Sequence, residues 1–253
     1  MLDDVIAVTN RMLCERPFIE QIERVCKMQP KAIILREKDL TEKEYTNLAE
    51  KVYNITSDYN VRLIIHTYIS AARKLGIQTV HMSLQNLEKY MGNQETTFAN
   101  SIPDSVNEVI NKNNINRICS CEDVISSNGD IAEHSKIKDT NKETDIKDAN
   151  IENINIARLN IDNIRIGCSI HSVEEAIMAE KLGASYITAG HIYATDCKKG
   201  LAPRGLDFLE NVVRSVSIPV YAIGGIDIEG DRRKEVMIRG AAGSCIMSGM
   251  MRC

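Results

Sequence analysis

The chain predicts an α/β fold: a (β/α)8 TIM barrel with a long polar insertion between strands 4 and 5 and no clear eighth helix. Three observations carry this. Eight short β-rich runs recur along the chain, stretches of helical period separate them, and 253 residues with 43% hydrophobic content suit one barrel core. The runs are VIAVT (5–9), AIILRE (32–37), RLIIH (62–66), TVHMS (79–83), IRIGCSI (164–170), YITAGHIY (186–193), PVYAIGG (219–225) and SCIMSG (244–249). Each is too uniformly apolar to leave a face in water, so closure into a barrel is the economical arrangement. An open doubly wound sheet is the alternative. Between the second and third runs, Thr41 and Glu44 read as a capping box, with Leu48, Ala49, Val52 and Ile55 on one helical face. Ser172 and Glu175 repeat the device ahead of Ala176, Ile177 and Ala179.

One domain spans residues 1–253, interrupted at about 93–163, where asparagine, isoleucine, lysine and acids recur. Segments such as NKNNINR and DIKDANIENINIARLNIDN are too polar to build a core, so disorder or loose helix is expected there. Cys119, Cys121 and His134 fall in this segment, but C-x-C alone lacks the spacing of a zinc site, and no metal is expected. After the eighth run, Cys253 follows too soon for a full helix. The insertion or a second copy of the chain, as a homodimer, covers that flank, or it stays exposed. The eight cysteines lie mostly within apolar runs, where reduced thiols act as small core residues rather than a disulfide framework.

A formal charge of -4 gives no global pull toward phosphate backbones or anionic membranes, so nucleic acid and membrane are not expected partners. The N-terminal MLDDVIAVTNRM has acids where a signal peptide carries bases, and no apolar run approaches the roughly 20 residues of a membrane span. The expectation is a cytoplasmic protein.

Active sites of this fold lie at the C-terminal ends of the strands, with phosphate held after strands seven and eight. Gly224 and Gly225 follow strand seven, and Ser248 and Gly249 follow strand eight, where missing side chains let backbone approach an anion. The bland account is two tight turns. Arg36 and Lys38 flank Glu37 after strand two, as an anion site or a solvated charge cluster. Thr195 and Lys198 belong to a glycine-containing loop after strand six that suits closure over an anionic ligand. His171 stands between strand five and the Ser172 N-cap, beside a helix N-terminus whose partial positive charge favours neutral imidazole, a form able to accept a proton. His191 is the second acid–base candidate, and His66 and His81 read as packing or ligand-contact residues.

LREKDLTEKEY, GCSIHSVEEA, YITAGHIYATDCKKGLAPRG, IPVYAIGGI and the closing IMSGM together resemble the thiamine phosphate synthase superfamily. The AGHIYATDCKKGLAPRG stretch is most similar to its thiazole tautomerase (TenI-like) branch. Synthases of that family carry an Asn-Asp-Arg triplet after strand three and an acid after strand four to hold magnesium; this chain has His66-Thr67-Tyr68 and Gln85-Asn86. Neutral oxygens hold magnesium poorly. The resemblance implies that His171, in Ser169-Ile170-His171-Ser172, moves a proton within a carboxylated thiazole phosphate carrying an exocyclic double bond, giving the aromatic thiazole. That chemistry needs no cofactor. It further implies Arg36 and Lys38 on the substrate carboxylate and Gly224, Gly225, Ser248 and Gly249 on the phosphate. The synthase reaction, joining a pyrimidine diphosphate to a thiazole phosphate, is the alternative, and a non-catalytic thiamine-pathway binding protein is another.

Overall fold

A computed structural model of the chain describes residues 2–101, 164–195 and 198–253. Two units divide the chain: Met1–Tyr90 with Asp162–Cys253, and Met91–Ile161. The first is a closed barrel of eight parallel strands in sequence order, which rules out the open sheet. Strands β1 (Leu2–Val8), β2 (Pro30–Leu35), β3 (Arg62–His66), β4 (Thr79–Ser83), β5 (Arg165–Ile170), β6 (Tyr186–Gly190), β7 (Val220–Ile223) and β8 (Gly243–Ile246) correspond to the eight expected runs. Helices α1 (Phe18–Lys27), α2 (Glu42–Asp58), α3 (Ile69–Leu75), α4 (Leu84–Ser101), α5 (Val173–Lys181), α6 (Gly205–Ser215), α7 (Asp231–Ile238) and α8 (Ser248–Arg252) follow the strands in turn, and a 3-10 turn (Arg11–Leu13) precedes α1.

Alternation along parallel strands divides the apolar residues between two layers. Ile6, Val8, Ala32, Ile34, Ile64, Tyr186, Tyr221 and Cys245 form a buried cluster. Their strand neighbours Val5, Ala7, Ile33 and Leu35 are equally buried. Gly167 makes room for this packing, since a Cβ there would come within 2.0 Å of the Tyr186 ring. At α2 the capping box forms as expected: Glu44 N donates to Thr41 Oγ1 and Thr41 N to Glu44 Oε2, at 3.4 and 2.9 Å.

Two expectations need correction. An eighth helix does exist, as five residues, because Met250 and Met251 are apolar enough to bury completely. Gln21 of α1 donates to the Met250 carbonyl at 2.6 Å, and Cys14 Sγ contacts Met251 Sδ at 3.8 Å, so this short helix packs beside α1 and the turn before it. Helix α4 runs to Ser101, so its last turns fall within the polar segment. Strand six ends at Gly190 rather than residue 193, because His191 turns to φ 64° and breaks the extended run.

Cys26, Cys168 and Cys245 are buried free thiols, and Cys14 and Cys253 are partly buried and free. Cys119, Cys121, His134 and Cys197 lie outside the described residues. Among the described residues no helix is long and apolar enough to cross a membrane.

Candidate active site

The C-terminal ends of the strands surround a cavity of about 1220 Å³. His171, Arg36, Lys38, Thr195, Lys198, Gly224, Gly225, Ser248 and Gly249, each singled out from sequence, all line it. Strand ends converge there because side chains beyond the last ladder residue no longer pack between strands and helices. The lining is basic despite the negative net charge: Arg36, Lys38, Lys198, Lys199, Arg232 and Arg252 line it, against Glu37 and Asp227.

His171 directly follows β5, with its side chain half-exposed. Its ring lies across Gly190 of β6, where a Cβ would sit 3.3 Å from Cδ2 and 3.4 Å from Nε2. Glu175 holds the other edge: one carboxylate oxygen accepts from His171 N at 2.5 Å and lies 3.5 Å from Nδ1. The expected capping box at Ser172 is therefore only half formed. Glu175 N donates to Ser172 Oγ, while the Glu175 carboxylate serves the histidine instead. Burial and then the Lys198 cation push the imidazole below its ordinary pKa, Glu175 opposes them, and Arg204 adds to the lowering. Neutral imidazole was expected from the helix terminus; the causes here are burial and cations.

His191 is buried, lines the same cavity, and among the described residues has no hydrogen-bond partner for Nε2. Its left-handed backbone is held from two sides. Arg204 N donates to its carbonyl at 2.8 Å, and Gly224 lies so close that a Cβ would come within 2.9 Å of its Cα. Gly225 is constrained similarly, since a Cβ would meet the Ala194 carbonyl at 2.4 Å. Both glycines have positive φ, at 112° and 66°, so the tight-turn account holds for them whether or not they also cradle an anion.

Glu37 is committed within the protein. It accepts from Thr9 Oγ1 at 2.6 Å and from Arg11 N and Nη1 at 3.1 Å. Thr9, Arg11, Glu175 and Arg204 were not found by sequence reasoning; Glu175 was legible only as a capping residue. Lys38 is lowered from its ordinary pKa by burial and by neighbouring Arg36.

His66, Thr67 and Asn86, the positions that the resemblance compares with a synthase's magnesium ligands, line the cavity. Thr67 Oγ1 is 2.9 Å from His66 Nδ1. The only cavity-lining carboxylates among the described residues are the committed Glu37 and Asp227, the latter 3.7 Å from Arg232. No group of three or more His, Cys, Asp or Glu among the described residues is arranged to hold a metal ion. This donor set does not fit a magnesium diphosphate.

A family model described as thiamine monophosphate synthase matches residues 5–94 and 145–250. The chain belongs to the thiamine monophosphate synthase family. The internal unmatched stretch, 95–144, falls inside the polar segment, whose last part the family model does match. Among similar proteins, a thiamine-phosphate synthase of Pyrococcus horikoshii is 43% identical over 98 residues, 39% of this chain and 46% of that protein. The chain thus spans about half the length of the Pyrococcus relatives it matches. A putative thiamine-phosphate synthase 2 of Aquifex aeolicus is 28% identical over 90% of this chain and 88% of its own. The thiamine-phosphate synthase of Clostridium acetobutylicum is 26% identical over 96% and 85%. The solved thiamine phosphate pyrophosphorylase from Pyrococcus furiosus shares the fold, with a TM-score of 0.61 and 23% identity over 99% of this chain and 90% of that one.

Proposed function

We propose that this family member is a thiazole tautomerase acting on a small-molecule thiazole phosphate. The observation that carries the reading is His171, a cavity-lining imidazole biased toward its neutral form, in a site where Glu37 and Asp227 are each paired with an arginine. Neutral imidazole takes the proton from ring C2 of the carboxylated, exocyclic tautomer, which adjacent sulfur, imine and carboxylate acidify. The electron pair moves through the ring, the exocyclic carbon takes up a proton, and an aromatic thiazole results. Proton count is conserved, and His171 returns to its starting state. Arg36 and Lys38 meet the substrate carboxylate, the turns at Gly224, Gly225, Ser248 and Gly249 hold the phosphate, and Thr195 and Lys198 close over it.

A second reading is thiamine phosphate synthase, and the names of the relatives favour it, including those aligned over most of this chain. The donor set opposes it, because His66, Thr67 and Asn86 offer no carboxylate to magnesium. One assay separates the two. Purified protein should aromatise the exocyclic thiazole carboxylate phosphate in excess EDTA, and His171→Gln should cut turnover roughly 10²-fold or more while product binding persists. Magnesium-dependent synthesis of thiamine phosphate without tautomerisation would establish the synthase instead.

A further inference from the structure

Behind the cavity wall, four polar side chains from β4, β5 and β6 form one hydrogen-bonded line. Tyr186 Oη lies 3.1 Å from His81 Nδ1, and His81 Nε2 lies 2.8 Å from Ser169 Oγ. Ser169 Oγ is in turn 3.2 Å from Thr188 Oγ1. Ser169 and Thr188 line the cavity; Tyr186 and His81 do not reach it.

The direction of this line follows from counting hydrogens. Burial holds His81 neutral, with nearby Arg36 adding to it, and pushes its pKa to about 3. Burial also raises the Tyr186 phenol well above its ordinary range, so it keeps its proton. Three hydroxyls and one ring N–H supply four hydrogens to three links. Among the described residues, His81 Nδ1 is the hydrogen-bond partner shown for the Tyr186 hydroxyl. If Nδ1 carried the ring hydrogen, the phenol hydrogen would be buried without an acceptor, at a cost of about 1–3 kcal/mol. Tyr186 therefore donates to Nδ1, and Nε2–H donates to Ser169. Whichever hydroxyl donates across the Ser169–Thr188 link, one hydrogen is left over, and the cavity is where it can go.

We propose that Tyr186 and His81 are positioning residues that polarise this line, so that the Ser169–Thr188 pair presents a hydrogen-bond donor to a lone-pair acceptor of the ligand, such as a ring nitrogen. The inference rests on the cavity being the ligand site and not on which reaction occurs there. It makes the wall between β5 and β6 selective for acceptor atoms at every pH where His81 stays neutral.

The test reads tautomer and binding rather than turnover, so a protein that fails to tautomerise can still pass or fail it. Imidazole ¹⁵N resonances of the unmodified protein at pH 7 should show His81 protonated at Nε2 and bare at Nδ1; the opposite tautomer, or a cation, overturns the proposal. Tyr186→Phe unpins the ring and should weaken binding of thiazole phosphate, which both functional readings require, by about two- to tenfold. That loss should disappear in a Ser169→Ala/Thr188→Val background, which has no hydroxyl left to aim. An equal loss in both backgrounds, or unchanged binding, overturns the proposal. The tautomer measurement decides the matter even where a variant does not fold.

Discussion

At the scale of single residues, the site depends on what holds His171. The Glu175 carboxylate fixes its backbone N–H and stands beside Nδ1, leaving Nε2 on the edge that lies across Gly190. A base must be unprotonated, so kcat/KM should fall on the acid side as His171 gains its proton. Glu175 favours the charged ring; removing its charge lowers the His171 pKa further. Glu175→Gln is therefore expected to move the acid limb of the pH–rate profile to lower pH. A uniform loss of activity at all pH values, with the limb unmoved, would mean that Glu175 acts only as a helix cap. The capping role was legible in Ser172-x-x-Glu175, but the second role was not, because spacing along a helix does not say which of two adjacent amides a carboxylate reaches.

At the scale of elements, the loop from His191 to Arg204 is closed at its neck by Arg204 N on the His191 carbonyl and Gly205 N on that of Ile192, at 2.8 and 3.0 Å. This closure brings Thr195 and Lys198 to the cavity. Their place there was legible from position after strand six; the neck was not, since it joins residues thirteen apart through a left-handed histidine. The polar segment has the opposite character. Its composition supplies little apolar area for burial, and residues 95–144 lie outside the family match. Replacing residues 102–161 by a short glycine-serine linker, which keeps all of α4, should leave a protein with one cooperative melt. Aggregation, or loss of the cooperative transition, would show that the segment contributes to the stability of the barrel.

At the scale of the whole molecule, two imidazoles inside the barrel mouth make stability depend on pH. His66 is pushed to about 3 by burial first, then by His81, Arg36 and Lys38; His81 is pushed to about 3 by burial and Arg36. Both folded values lie below the ordinary 6.5, so the unfolded chain binds more protons between those limits. Stability is complete above that ordinary value and is lost as pH falls toward 3. The slope is at most about 1.4 kcal/mol per pH unit for each histidine. Between pH 7 and pH 5 few carboxylates titrate, and urea unfolding should show a loss of roughly 2 to 4 kcal/mol. A flat profile across that interval would mean that these rings accept protons without unfolding.

The sequence by itself determined the fold class, the strand set and part of the cavity lining. Apolar strand runs, helix caps and glycine turns are local signals, and a (β/α)8 topology sends every strand end to one mouth. Tertiary structure alone decided the partners. Met250 and Met251 became a short eighth helix because α1 gives them somewhere to bury. Glu37 lines the cavity but is held there by Arg11 and Thr9. His81, read as a packing or contact residue, became the middle of a line running from Tyr186 to Ser169. Each joins residues from different strands or from distant parts of the chain, and the direction of a side chain between two competing partners is an energy difference that no spacing along one chain encodes.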